Sequence, residues 1–138
     1  MNKPKNTIRK VALAVFKDKK LLVVRTHKNK EVFYTLGGKI ERGESDIDCL
    51  KREVKEEVSC DVNESSLKFL QEFQDVAHGK ENTWLVIRMY SGELVGEPKP
   101  SAEIIEIGWI DSGTDLKHFS EMAANNIIPW LKKHEYIR

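Results

Sequence analysis

The sequence predicts an α/β fold, and three observations carry that prediction. Val11 to Phe16 is a continuous apolar run, the pattern of a strand buried on both faces. Ile47, Leu50, Val54 and Val58 fall at i, i+3, i+7 and i+11, which makes one apolar stripe along a helix. Trp84 to Tyr90 is a second strand, rich in β-branched and aromatic residues.

The elements follow in order. After the Val11–Phe16 strand, Lys17 to Lys20 is a polar turn, and Leu21 to Val24 is its hairpin partner. Phe33 to Leu36 is a short strand that delivers the chain to a loop punctuated by Gly37, Gly38 and Gly43. Ser45 caps the helix that follows, with Asp48 three residues on, and the helix runs to about Val58. Leu67, Phe69, Gln71 and Phe73 share one side of a strand, which turns at His78-Gly79-Lys80 into Trp84–Tyr90. Glu97 to Pro100 is a loop, and Ile104 to Ile110 is the last strand. Pro129 would break a helix running from Ser120 to Lys133, so the last helix is placed from about Ile127, capped by Asn125 or Asn126.

At 138 residues the chain has the length of a single domain, 1–138, with room for a sizeable core. Charged residues make up 33%, yet the net charge is only +1, so no basic field marks duplex nucleic acid as a partner. Lys3, Lys5, Arg9 and Lys10 are too few for a nucleic-acid arm and read as a solvated terminus. No apolar run is long enough to span a membrane. Cys49 and Cys60 are poorly placed for a bridge, and two free thiols fit a cytoplasmic location. Oligomeric state is left as monomer or homodimer, with Trp130 read as core rather than interface.

The helix after the glycine loop carries the chemistry. Glu53, Glu56 and Glu57 stand at i, i+3 and i+4, neighbours on one face. At about 100° per residue, that face lies roughly a quarter turn or more from the apolar stripe. A solvated charged face is one reading of the triplet. The other is a set of oxygen ligands for a hard divalent cation, Mg²⁺ or Mn²⁺, which would compensate the like-charge repulsion.

Residues 38–60 resemble the Nudix box of the Nudix (MutT-type) hydrolases: Gly, five residues, Glu, seven residues, then Arg-Glu-U-x-Glu-Glu-x-Gly-U, with U aliphatic. Gly38, Glu44, Arg52, Glu53, Val54, Glu56 and Glu57 match. Ser59 stands where the family has Gly, Cys60 where it has an aliphatic residue, and Leu36 where Pro is common. None of the three removes a ligand. A left-handed cap at Ser59 costs more than at Gly.

The resemblance implies an α/β/α sandwich with a mixed β-sheet and a Mg²⁺-dependent hydrolase of phosphoanhydrides. It implies Glu53 and Glu57 as metal ligands, with Glu56 beside them and the main-chain carbonyl of Gly37 as a further ligand. Arg52 would orient a carboxylate of the box. Glu44 would brace the loop or reach a second metal, and Gly38 would shape the loop. Glu56 and Glu103 are the two candidates for the base, Glu103 because it lies on the loop entering the last strand. Arg25 and Lys39 flank the glycine pair and are candidates for phosphate oxygens.

The substrate class implied is a nucleoside diphosphate linked to a further group, a small-molecule nucleotide. Markers of the ADP-ribose and dinucleoside polyphosphate subgroups are missing at Asp75 and near Val76 to His78, which leaves small nucleoside triphosphate pyrophosphohydrolases as the nearest group. Phe33, Trp84, Phe119 and Asn125 are candidates for holding a base. Asn125, just before the last helix, is similar to the guanine-reading Asn of MutT-type enzymes, which keeps oxidised guanine nucleotides in view. The competing reading is a non-catalytic module of the same fold that senses a nucleotide or binds a partner. Such modules tend to lose box carboxylates, and all three are present here.

Overall fold

The computed structural model describes residues 5–138, and side-chain alternation along one strand explains its layers. β1 (Asn6–Ala14) pairs antiparallel with β4 (Leu36–Lys39) and parallel with β6 (Thr83–Val95). The long β5 (Asp61–Val76) completes a four-stranded mixed sheet in the order β4-β1-β6-β5. A second, three-stranded antiparallel sheet runs β2-β3-β7, from β2 (Phe16–Lys17), β3 (Lys20–Thr26) and β7 (Ile104–Ile110). Val11 and Leu13 of β1, with Leu22 and Val24 of β3, face one side and pack on Leu50, Val54 and Val58 of α1 (Asp46–Val58). Ala12 and Ala14, with Leu21 and Val23, face the other side and pack on Met122, Ile128 and Leu131 of the C-terminal helical segment. The two cores bury whole side chains, each Leu contributing about 1.5–3 kcal/mol. The α/β fold with a mixed sheet between helices is therefore as expected.

α1 has the expected bounds and caps. The Asp48 N–H donates to Ser45 Oγ at 3.1 Å, and Ser59 takes the left-handed conformation at φ 57°. The stripe needs one correction: Ile47 is 39% exposed, and fully buried Cys49 takes the inner position. Cys49 fits there because it is small enough to tuck beneath the glycine loop, with its Sγ 3.5 Å from the Lys39 carbonyl.

Other boundaries moved for identifiable reasons. The first strand starts at Asn6 rather than Val11, because residues 6–10, polar except for Ile8, pair in register with Thr83–Ile87. Phe33 and Tyr34 make only isolated bridges, and β4 begins at Leu36 and runs through the glycine pair. Gly37 is required there. Its φ is 129°, and a Cβ would fall 2.0 Å from the Val11 carbonyl oxygen. β5 begins directly after the helix, and two bulges break its alternation, so Phe69 is 43% exposed while Phe73 is buried.

The C-terminal helix also departs from expectation. It begins at Glu121 after Ser120, not at Ile127, and neither Asn125 nor Asn126 caps it. Residues Ala123–Ile127 widen into a π turn that runs straight into α2 (Ile128–Lys133). The widened turn accommodates the ring and missing N–H of Pro129 without ending the helix. Trp130 packs inside, stacked on Tyr136 with its edge against Phe73. Of the basic residues read as a solvated terminus, Lys3 lies outside the described residues and Lys10 belongs to β1. No helix among the described residues is long and apolar enough to cross a membrane.

Candidate active site

α1 lays its carboxylates against the glycine pair of β4. The Gly37 N–H donates to Glu57 Oε1 at 2.9 Å. Gly38 lies directly over Glu53, and a Cβ on it would sit 2.5 Å from that carboxyl carbon. Both glycines thus permit a close approach of backbone to carboxylate. Burial pushes the Glu57 carboxyl up to about 8, against the pull of the Gly37 amide. Burial raises Glu53 as well, although the Arg52 guanidinium pulls it down. Glu56 is the outer member of the triplet, with a side chain 55% exposed.

Arg52 ties the site together. Its Nε and Nη2 donate to the two oxygens of Glu44 at 2.7 and 2.9 Å, and its Nη1 donates to Glu53 Oε1 at 2.7 Å. Nη2 also reaches the Lys39 carbonyl at 3.2 Å. Glu44 in turn accepts the Glu41 N–H at 2.9 Å, which closes the loop. The Arg52 hydrogen bonds hold Glu44 down to about 2. Cys49, pushed up to about 12 by burial, stays an inert thiol beneath this network.

A cavity of about 960 Å³ opens beside these groups, between the two sheets. Gly37, Gly38, Glu53 and Glu57 form one end. Leu85, Ile87, Phe119 and Met122 form an apolar region, while Lys10, Lys39 and Lys80 add positive charge. Among the described residues, no three His, Cys, Asp or Glu side chains converge as a ready-made cation cage. The donor set is nevertheless all oxygen, and two desolvated carboxylates at one cavity wall suit a hard divalent cation. Such an ion takes only some of its ligands from protein and the rest from water and phosphate.

Other expected residues are placed differently. Arg25 pairs with Glu106 at 2.7 Å, donates to the Lys30 carbonyl at 2.9 Å and lies over the Phe33 ring. It is not part of the cavity wall. Glu103 pairs with Lys28 at 2.8 Å, also off the wall. Its loop is nonetheless fastened to α1, since the Ser101 and Lys99 amides donate to the carbonyls of Glu57 and Val58 at 3.0 Å. Asn125 is exposed and away from the cavity, and its neighbour Asn126 donates to Asp75 Oδ2 at 2.9 Å. Phe33 and Trp84 are also off the wall, so Phe119 alone of the four base-holding candidates lines it.

Sequence reasoning missed Lys10 and Lys80. The signal for Lys10 was present, since Ile8, Lys10, Ala12 and Ala14 share one strand face by their period of two. A lysine on an otherwise apolar inward face should have stood out.

The comparisons agree with this geometry. A family model of the NUDIX domain matches residues 7–131. A Nudix hydrolase family member from Chromobacterium violaceum superposes with a TM-score of 0.72 at 25% identity, covering 94% of this chain and 79% of that one. A mutator MutT protein from Bacillus halodurans gives 0.68 at 25% identity, covering 94% and 82%. A MutT Nudix hydrolase from Burkholderia pseudomallei gives 0.75 at 16% identity, covering 91% and 98%, a likeness of fold. No curated protein matches the chain significantly. With the box carboxylates gathered against the glycine loop and the family model spanning nearly the whole sequence, the chain belongs to the Nudix family of hydrolases.

Proposed function

We propose that the protein is a Mg²⁺-dependent pyrophosphohydrolase acting on a nucleoside triphosphate or a related nucleoside diphosphate joined to a further group. One observation carries the reading. Glu57 is a desolvated carboxylate at the end of a large cavity, held by the Gly37 amide with no ion pair among the described residues, and Glu53, whose single cationic partner is Arg52, lies beside it. Carboxylates are seldom buried without a cationic partner, and a divalent ion held by these residues would supply it.

Glu53 and Glu57 would hold the ion, with the exposed Glu56 carboxylate and the Gly37 main chain as further oxygen donors. When bound, the ion neutralises phosphate oxygens and lowers the pKa of a water. Arg52 keeps Glu53 in its rotamer and fastens Glu44, so the loop and helix move as one body. Lys39 meets phosphate oxygens as they enter the cavity. Water adds to one phosphorus, the bridging oxygen leaves with its electron pair, and a carboxylate accepts the proton from the water. Glu56, exposed beside the ligands, is placed to do so; Glu103 rides on the loop fastened to Glu57 but would first have to leave Lys28. From a triphosphate the products are a nucleoside monophosphate and pyrophosphate.

Phosphate release tests the reading, coupled to pyrophosphatase for canonical and oxidised nucleoside triphosphates and to alkaline phosphatase for nucleoside diphosphate sugars and dinucleoside polyphosphates. Turnover of one class that appears with Mg²⁺ and vanishes with chelator is the expected result. Tight nucleotide binding without turnover under any metal would transfer the assignment to a non-catalytic sensing module.

A further inference from the structure

The cavity holds more positive charge than its carboxylate end explains. Lys10, Lys28, Lys39 and Lys80 all line it, against Glu53, Glu57 and Glu121; Lys28 is taken up by Glu103 and Glu121 by His78, which leaves Lys10, Lys39 and Lys80. Lys10 and Lys39 stand directly opposite each other on β1 and β4, so their side chains leave the sheet on the same face. Lys80 comes from the turn between β5 and β6. That turn is held at the start of β1 by the Asn6 N–H donating to the Asn82 carbonyl at 3.2 Å. Lys10 is half-buried between the two groups, feeling Lys80 and Lys39 on one hand and Glu53 and Glu57 on the other.

Among the described residues, none of these three lysines has a carboxylate within ion-pair distance. The lysine ion pairs among the described residues are made by Lys28, Lys51, Lys55 and Lys117 instead. Converging ammonium groups repel one another, and desolvating one of them adds to the cost. Lys10 accordingly has its pKa lowered, by burial first and by Lys80 next. An arrangement of this kind is stabilised only when an anion enters.

We propose that Lys10 and Lys80, together with Lys39, form a cationic wall for the phosphate chain and select substrates that carry charge beyond a diphosphate bridge. The inference rests on the pyrophosphohydrolase reading and narrows it. With a divalent ion balanced by Glu53 and Glu57, the three lysines remain uncompensated. A nucleoside triphosphate brings about four negative charges near neutral pH, against about two for a nucleoside diphosphate joined to a neutral sugar. The wall therefore favours a triphosphate. Lys10 and Lys39 are cross-strand partners and Lys80 lines the same cavity, so a chain of phosphates can meet more than one of these cations.

The test compares kcat/KM for a nucleoside triphosphate and for the matching nucleoside diphosphate sugar, in wild type, Lys10→Met, Lys80→Ala and Lys10→Arg. Losing one charge-assisted contact should lower the triphosphate value roughly ten- to hundredfold. The sugar nucleotide should change by less than about threefold, and Lys10→Arg should keep the preference. Equal losses on both substrates, or none, would overturn the inference and leave the hydrolase reading standing. Calorimetric binding of inorganic tripolyphosphate separates the two claims, because it needs no turnover. Weaker binding in Lys10→Met and Lys80→Ala, in a protein that hydrolyses nothing, would keep the cationic wall and remove the hydrolase. Tripolyphosphate binding unchanged in both variants would overturn the wall on its own.

Discussion

The two ends of the cavity are built in opposite ways. The carboxylate end comes almost entirely from one contiguous segment, residues 37–57, and is locked by Arg52 bonding to Glu44 and Glu53. The far end gathers Leu85 and Ile87 from β6, and Phe119 and Met122 from the C-terminal segment, with no side-chain hydrogen bond among them. The carboxylate end is thus local and cross-linked by hydrogen bonds, whereas the apolar end is assembled from distant parts of the chain and held by packing. Changes at the first end should therefore act on kcat, and changes at the second on KM.

Arg52→Ala breaks the contrast most severely. It frees Glu53 and Glu44 together, so kcat should fall roughly ten- to hundredfold, the usual scale for removing a group that orients a metal ligand. Stability should drop by about 2 kcal/mol from the lost charge-assisted bonds, read by denaturant unfolding. Unchanged kcat in Arg52→Ala would show that the network does not position the carboxylates.

Leu85→Ala probes the other end. It trims half-buried apolar surface from the cavity wall, so KM should rise roughly three- to tenfold with kcat within about twofold. A kcat loss as large as that of Arg52→Ala would mean that the two ends are not separable.

These ends also differ in how far the sequence disclosed them. The bounds of α1 and its Ser45 cap follow from short-range spacing, and the resemblance implied the left-handed Ser59 and the closeness of Gly37 to the carboxylates. Contacts within some twenty residues leave a pattern in the sequence. The far end leaves none, because which of Phe33, Trp84, Phe119 and Asn125 reaches the cavity depends on strand order and on the path after β7. The β5 bulges and the π turn before Pro129 were equally hidden, since each is a response to partners elsewhere. Arg25 shows the same limit. Flanking the glycine loop in sequence suggested phosphate, but β3 pairs with β7 and delivers it to Glu106.

Asn125→Ala sharpens the comparison by its lack of effect. Exposed and off the cavity wall, Asn125 should change KM by less than about twofold for every nucleotide. A selective rise in KM for one base would restore it as a base reader.

The smallest expected effect is acid dependence at the locked end. Glu44 sits at about 2 in the fold, against about 4.3 when unfolded. A carboxyl depressed on folding stabilises the protein above its unfolded value. That contribution fades as pH falls through the window from about 4.3 to about 2. Glu44→Gln should therefore flatten stability against pH in this window. An identical acid slope in wild type and Glu44→Gln would detach Glu44 from the network.

The central claim is that the desolvated carboxylates of α1, placed under Gly37 and Gly38, perform metal-dependent hydrolysis. Its most direct test is kcat of Glu57→Gln in Mg²⁺ on the best substrate of the panel, with Tm measured on the same sample. Losing several kcal/mol of transition-state charge stabilisation predicts a fall of roughly a thousandfold with the fold intact. A folded Glu57→Gln protein that turns over at the wild-type rate would contradict the account.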